Sequence, residues 1–129
     1  MPNLIVADDD PDLTMILCRV AEEAGWTVFT FPDGDELVSF LGQLDAPAFV
    51  LVDVDMPTLN GIEVAQRLRD LPNLPRIRLR FMTGGHFTSA VAATLIAKAR
   101  DFDPGLTLYK PFSIEEFRKV LRSEAMRLA

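Results

Sequence analysis

Short apolar runs alternate along the chain with longer segments in which apolar residues recur at helical spacing. Five short runs are predicted strands: residues 4–7, 27–31, 48–52, 77–82 and 106–109. Five longer segments are predicted helices: residues 10–24, 35–44, 60–71, 89–100 and a last helix from residue 113. Strands that alternate with helices predict an α/β fold, in which helices cover both faces of a parallel sheet.

Capping residues mark several of the helix ends. Asp10, which a proline follows, is a typical N-cap, and Gly25 ends the first helix. Ser113 and Glu116 have the spacing of a capping box at the start of the last helix. The third strand, residues 48–52, is apolar throughout, as expected for a strand buried on both faces of the sheet.

Composition and charge exclude several classes of function. The 129 residues suffice for one domain, predicted over residues 1–129, and the net charge of -6 argues against binding to nucleic acid or anionic membranes. Cys18 is the single cysteine and cannot form an internal disulfide. No apolar run approaches the roughly 20 residues that span a bilayer, and the N-terminus lacks the pattern of a signal peptide. We therefore expect one cytoplasmic domain.

Polar side chains follow four of the predicted strands. Asp8 and Asp9 come after the first strand, Asp53 after the third, Thr83 after the fourth and Lys110 after the fifth. Ligands of open parallel sheets bind beyond the carboxyl ends of the strands, so these groups are predicted to meet there. Clustered carboxylates repel each other unless a cation lies among them, and oxygen ligands suit Mg²⁺. Together with an ammonium and a hydroxyl group, they predict a site for a transferring phosphoryl group.

Each of these residues also has a simpler interpretation when it is taken alone. Asp10 is explained by helix capping, and Asp8 or Asp9 alone would be ordinary turn residues. Lys110 alone would be a solvated surface lysine. Asp53 differs because it ends a fully apolar strand, where an unpaired carboxylate is costly. The joint occurrence at successive strand ends favours a functional site.

Four motifs along the chain belong to one known pattern. An acidic pair occupies residues 8–9, and residues 53–61 follow the pattern Asp-x-x-Met-Pro-x-x-Asp/Asn-Gly. Residues 83–84 are Thr-Gly, and residues 110–112 are Lys-Pro-Phe. With these motifs the chain resembles the receiver domain of two-component response regulators, including the single-domain chemotaxis type, from Leu4 to about Leu128.

The resemblance implies a flavodoxin-like receiver fold, a doubly wound five-stranded parallel sheet with the strand order 2-1-3-4-5. It also implies that Asp53 is the phosphoacceptor, which receives a phosphoryl group from a histidine kinase or a phosphotransfer protein. Lys110 would pair with the phosphoryl oxygens, and Thr83 would move to donate a hydrogen bond to one of them. The peptide between Lys110 and Pro111 is expected to be cis, as in similar proteins.

The same resemblance implies Mg²⁺ as the cofactor. Asp9 would bind the ion through its side chain, and Asp8 would assist through a water molecule. Asp53 would be a further ligand, and Asp55 would contribute its backbone carbonyl. No other cofactor is expected.

The implied partners are a histidine kinase or phosphotransfer protein, and a downstream protein target or a second copy of the chain. The downstream contact is expected on the face made by the helix over residues 89–100, the fifth strand and the last helix. No direct contact with nucleic acid or with a membrane is expected. The chain is not expected to be an enzyme, since its only chemistry would be self-phosphorylation and autodephosphorylation at Asp53.

Two other functions remain open at this point. The first is a degenerate receiver that acts as a docking module without phosphorylation. The second is a phosphatase of the haloacid dehalogenase type, because Asp53-Val54-Asp55 resembles its Asp-x-Asp motif. Met56 and Pro57 fit the continuation of that motif poorly, and the chain has no cap domain.

Several features differ from similar receivers. Thr107 occupies the position three residues before Lys110, where similar receivers have the Tyr or Phe that accompanies the switch threonine. The interval from Thr83 to Lys110 is also several residues longer than usual. Within it, residues 90–99 are apolar on nearly all sides, which indicates either a buried helix or a partner surface.

Three arginines alternate with apolar residues along the fourth predicted strand. Arg76, Arg78 and Arg80 occur where a parallel strand should be apolar on both faces. Pairing with acidic residues of the same chain and a place in a subunit interface both explain this pattern. His86, the only histidine, is interpreted as a solvated loop residue.

Overall fold

The computed structural model describes residues 1–54, 56, 61–68, 70–71, 76–84 and 108–128 of the chain. The strands are β1 (Asn3–Ala7), β2 (Thr27–Phe31), β3 (Ala48–Asp53), β4 (Ile77–Thr83) and β5 (Leu108–Tyr109). The helices are α1 (Pro11–Glu23), α2 (Gly34–Gln43), α3 (Gly61–Leu68) and a C-terminal helix (Ile114–Leu128). Among these residues, no helix has the length and apolar character that crossing a membrane requires.

The strands form one sheet in the order β2-β1-β3-β4-β5, and every neighbouring pair is parallel. The register is regular near the centre, where Ile5 of β1 lies between Phe29 of β2 and Val50 of β3. This sheet confirms the predicted α/β fold and its strand order. The predicted helix over residues 89–100, and the first two residues of the predicted fifth strand, lie outside the described part of the chain.

Two apolar clusters pack on opposite faces of the sheet. Alternate residues of β3 enter different clusters, because successive side chains of a strand point to opposite faces. Val50 and Val52 belong to the cluster that includes α2 and α3, whereas Phe49 and Leu51 belong to the cluster that includes α1 and the C-terminal helix. All six residues of β3 are buried, as predicted for a strand that is covered on both faces.

Side-chain caps define where the helices begin. The Asp10 carboxylate accepts from the backbone N–H groups of the second and third residues after it, and the Ser113 hydroxyl accepts from the N–H of Glu116. Gly25 follows α1 with a φ of 93°, a left-handed conformation that glycine adopts without strain. The Ser113 half of the predicted capping box is therefore present, and Asp10 is confirmed as an N-cap.

The predicted limits of two helices need correction. Helix α2 begins at Gly34, one residue earlier than predicted, because Asp33 caps it by accepting from the N–H of Glu36 at 2.9 Å. Helix α3 ends at Leu68 rather than near Leu71. The N–H of Leu71 donates to the carbonyl of Leu68 at 3.1 Å, which is a tighter turn than the α-helical pattern.

Asp33→Ala is expected to lower the free energy of unfolding by about 1 kcal/mol, because an N-terminal N–H of α2 loses its acceptor. Asp33→Asn keeps an acceptor at the same position and should retain most of the stability. Urea unfolding of the three proteins measures the difference. Equal stabilities of the Ala and Asn variants would contradict the assignment of Asp33 as a stabilising cap.

The three arginines of the predicted fourth strand pair with acidic residues of the same chain. Arg78 and Arg80 contact Glu124 of the C-terminal helix, with Nε to carboxylate oxygen distances of 2.9 and 2.8 Å. Arg76 contacts Asp45 at 3.2 Å on the exposed side of the molecule. Pairing within the chain, one of the two interpretations left open by the sequence, accounts for the alternating charges of this strand.

Candidate functional site

The predicted site residues come together at the carboxyl end of the sheet. Asp8 directly follows β1, Asp53 is the last residue of β3, and Thr83 is the last residue of β4. Lys110 directly follows β5, and its backbone N–H donates to the Thr83 carbonyl at 2.7 Å. Because β1, β3, β4 and β5 are parallel and in register, their ends deliver these side chains to one edge.

Three carboxylates form an acidic group at this edge. Asp8, Asp9 and Asp53 each offer one carboxylate oxygen, and these three atoms lie within 4.8 Å of one another. Asp8 and Asp53 are buried, with 3 % and 4 % of their surface exposed, whereas Asp9 is exposed to solvent. Carboxylates this close repel each other, and a divalent cation relieves that repulsion. The set of oxygen donors therefore fits Mg²⁺, which prefers oxygen ligands and retains waters on its open side.

Lys110 bridges two of these carboxylates. Its Nζ lies 2.7 Å from Oδ2 of Asp8 and 3.1 Å from Oδ2 of Asp53. Burial alone would lower the pKa of Lys110, but the hydrogen bond to Asp8 and the charges of Asp53 and Asp8 outweigh it and raise this pKa. The ammonium group therefore stays charged at neutral pH and supplies a fixed positive charge beside Asp53.

Asp8 combines a turn contact with a site contact. One of its carboxylate oxygens accepts from the backbone N–H of Asp10 at 2.9 Å, and the other accepts from Lys110. The Asp10 carboxylate instead caps α1 by accepting from the N–H groups of Asp12 and Leu13. The turn and site interpretations of Asp8 are thus compatible, since the turn orients the carboxylate that Lys110 contacts.

Thr83 contributes a buried hydroxyl group. Only 2 % of the residue is exposed, and its Oγ1 has no hydrogen-bond partner among the described residues. Most buried hydroxyls have such a partner, because leaving one unpaired costs free energy. An unpaired hydroxyl next to Lys110 is available to donate to an oxygen atom that enters the site.

Some predicted features of the site cannot be compared with the structure. Asp55, whose carbonyl is a predicted metal ligand, lies outside the described residues, as do Thr107 and His86.

The Lys110–Pro111 peptide is cis, as expected. Tyr109 exposes 55 % of its surface.

A groove that the sequence did not reveal opens next to the acidic group. It has a volume of about 650 Å³ and extends from Asp8 and Asp9 along α1. Met15, Cys18 and Phe31 contribute part of its apolar lining. The Cys18 thiol donates to the Glu22 carboxylate at 2.7 Å, and this bond together with burial raises the pKa of Cys18 to about 11. The thiol therefore stays protonated at neutral pH.

Comparisons with known proteins assign the chain to a family. Residues 4–122 match the model of the response regulator receiver domain. The chain is 34 % identical over 125 residues to the transcriptional regulatory protein TcrA of Mycobacterium tuberculosis. This alignment covers 97 % of this chain and 46 % of TcrA. It is 32 % identical over 84 residues to the response regulator receiver protein CpdR of Brucella abortus, covering 65 % of this chain and 68 % of CpdR.

Solved structures have the same fold. The beryllofluoride-activated NtrC4 receiver domain dimer matches with a TM-score of 0.82 at 24 % identity, over 100 % of both chains. Full-length FixJ from B. japonicum matches with a TM-score of 0.80 at 26 % identity, over 98 % of this chain and 59 % of FixJ. The chain spans about half the length of several curated regulators that it matches.

The chain belongs to the response regulator receiver family. It is a receiver domain of two-component response regulators, as its motifs predicted. In this family Mg²⁺ binds at an acidic cluster, and the group of Asp8, Asp9 and Asp53 fits that description. Receiver domains also interact with histidine kinases and with downstream effectors.

Proposed function

We propose that this chain accepts a phosphoryl group on Asp53 from a histidine kinase or a phosphotransfer protein. The observation that carries the proposal is the position of the Lys110 ammonium, which contacts Asp53 and Asp8 together. Asp9 completes the acidic group on the exposed side, and Thr83 keeps a buried hydroxyl without a partner among the described residues. A nucleophile, a fixed cation and a hydrogen-bond donor thus lie at one edge of the sheet.

The proposed reaction is an in-line transfer to a carboxylate. An oxygen of Asp53 attacks the phosphorus atom of a phosphohistidine, and an O–P bond forms while the P–N bond breaks. The electron pair of the broken bond goes to the imidazole nitrogen of the donor, which then takes up a proton. Lys110 balances the charge on the phosphoryl oxygens, and Thr83 donates a hydrogen bond to one of them.

Mg²⁺ would be held by Asp8, Asp9 and Asp53, with the backbone carbonyl of Asp55 as the further proposed ligand. The ion supplies positive charge that reduces the repulsion between the carboxylates and the incoming phosphoryl oxygens. Asp8 would hold the ion in a defined position, because the N–H of Asp10 orients its carboxylate.

The proposed phosphoryl transfer ends on the carboxylate of Asp53 and does not continue to another substrate. Phosphorylation and autodephosphorylation at Asp53 would then be the chain's only reactions, and the chain would not be an enzyme for another substrate. A docking module that needs no phosphorylation and an Asp-x-Asp phosphatase are the competing functions. The partly buried ion pair between Lys110 and Asp53 favours the phosphoacceptor over the docking module, because docking alone does not require these groups to converge.

The proposed partners are a phosphodonor protein and a downstream target. The groove along α1 is large enough to admit part of a donor next to the acidic group. For the target, or for a second copy of the chain, we retain the face that includes β5 and the C-terminal helix. Tyr109 and Ile114 expose 55 % and 48 % of their surfaces there, and exposed apolar side chains are common at interfaces.

Intact mass measured after incubation with Mg²⁺ and a small-molecule phosphodonor tests the proposal. We expect one phosphoryl adduct per chain with Mg²⁺, and none when the ion is removed by a chelator, because three carboxylates would then repel the donor. Addition of excess Mg²⁺ to the chelated sample should restore the adduct. An adduct that forms equally well without the ion would contradict the proposed metal site, and repeated turnover of a phosphate ester would favour the phosphatase.

A further inference from the structure

A buried ionic cluster joins β4 to the C-terminal helix. Glu124 is fully buried, and each of its carboxylate oxygens accepts from one arginine, Oε1 from Arg80 at 2.8 Å and Oε2 from Arg78 at 2.9 Å. The Arg80 side chain is 8 % exposed and that of Arg78 is 25 % exposed. We call these three residues the Glu124 cluster. The residues assigned to the phosphoacceptor site do not include any of them.

The cluster interrupts an apolar stripe on the C-terminal helix. Phe117, Val120 and Leu121 of this stripe are buried against the sheet, and Glu124 follows them at helical spacing. Burying a charged group costs free energy that an apolar side chain at the same position would avoid. Where a single polar position interrupts an apolar contact between helices, its best-documented role is to specify the register of the contact.

The register of this helix bears on the phosphoacceptor site through Lys110. Strand β4 carries the two arginines of the cluster and also ends in Thr83, whose carbonyl accepts from the Lys110 N–H. A short loop connects Lys110 to the C-terminal helix, which begins at Ile114. A shift of the helix by one turn, about 5.4 Å, would exceed the lengths of the contacts from Lys110 to the two carboxylates.

We propose that Glu124 is a positioning residue that fixes the C-terminal helix on β4, so that Lys110 reaches Asp53 and Asp8. The proposal rests on the proposed phosphoacceptor function. Strand β4 would then place Thr83 directly, and it would place Lys110 both through the Thr83 carbonyl and through the Glu124 cluster.

The first test compares Glu124→Gln with Glu115→Gln. Glutamine at 124 keeps the size of the side chain but removes the charge that two arginines contact, whereas Glu115 pairs at the surface with Arg118 and Arg122. At saturating Mg²⁺, adduct formation with a small-molecule phosphodonor should slow roughly tenfold to a hundredfold for Glu124→Gln, as expected for a displaced positioning group. The Glu115→Gln variant should react at the wild-type rate.

A double-mutant cycle with Lys110→Ala separates positioning from a purely structural role. If Glu124 acts through Lys110, Glu124→Gln should slow the reaction in the wild type but have no further effect in the Lys110→Ala background. A purely structural role predicts that the two effects multiply. Multiplied effects, or a wild-type rate for Glu124→Gln, would overturn the proposal.

A variant without the cluster keeps the proposal falsifiable if Glu124→Gln fails to fold. Arg78→Met, Arg80→Met and Glu124→Leu together replace the charges with apolar side chains, which proteins often tolerate. We expect this triple variant to fold and still to react slowly, and a wild-type rate in a folded triple variant would overturn the proposal. A failure of the wild type to form any adduct would instead contradict the phosphoacceptor function itself.

Discussion

Asp53→Asn is expected to abolish the phosphoryl adduct that the wild type forms with Mg²⁺ and a phosphodonor. The amide has nearly the shape of the carboxylate but is a far poorer nucleophile, so the reaction loses the atom that attacks phosphorus. Removing the nucleophile from other covalent catalysts lowers the rate by up to about 10⁶-fold. For a small-molecule donor this loss would put the adduct below detection by intact mass.

Asp45→Asn is a matched control for this substitution. It makes the same change of charge on a side chain that is 98 % exposed and contacts Arg76 away from the site. We expect this control to form the wild-type amount of adduct. Peptide mapping that places the phosphoryl group on Asp8 or Asp9 in the Asp53→Asn protein would contradict the assignment of Asp53.

Partner binding by the same variant addresses the competing function of a docking module. If the chain acts as a phosphoacceptor, a phosphodonor should change the wild type's affinity for its downstream target and leave that of Asp53→Asn unchanged. Identical affinities of both proteins, with and without the donor, would favour docking without phosphorylation. The measurement therefore distinguishes the two functions even when the adduct is present.

The strands could be predicted because apolar runs indicate them directly, whereas their order was implied by the resemblance to receiver domains. Residues 48–52 are apolar throughout, and the structure buries them completely as part of β3. The predicted strand ended at residue 52, one residue short of the end of β3. Asp53 nevertheless belongs to β3, where it pairs in register with Met82.

The site was predictable for a related reason. Parallel strands end at the same edge, so Asp8, Asp53 and Lys110 had to approach one another once the strands were assigned. The sequence could not give the atomic contacts, such as the bridge of the Lys110 ammonium between two carboxylates or the orientation of Asp8 by a backbone N–H. These depend on turn conformations that motif spacing does not specify.

Glu124 shows what could not be predicted from the sequence. The helical pattern places it on the apolar stripe, but its charge alone would favour exposure to solvent. Its partners Arg78 and Arg80 are 46 and 44 positions away in the chain, so the pairing depends on how the C-terminal helix packs on β4. The arginines of β4 were recognised as unusual, but their partner could not be identified.

Glu124→Leu is expected to lower the free energy of unfolding by about 3–5 kcal/mol, the usual cost of removing one partner from a buried ion pair. The substitution leaves two guanidinium groups near each other without the carboxylate that both contact. Whole domains are stabilised by only about 5–15 kcal/mol, so this loss would bring the protein close to unfolding. Urea unfolding at neutral pH measures the change.

Two further variants separate the ionic effect from the loss of a side chain. Glu115→Leu removes a carboxylate that is 61 % exposed, and it should change the stability by less than about 1 kcal/mol because solvent screens its ion pairs. When Arg78→Met and Arg80→Met are added to Glu124→Leu, stability should return to the wild-type level or exceed it, since none of the three charges of the Glu124 cluster remains. A Glu124→Leu protein no less stable than Glu115→Leu would show that the buried carboxylate adds nothing to stability. If the triple variant is more stable than the wild type while phosphorylation stays slow, the Glu124 cluster positions Lys110 at a cost in stability.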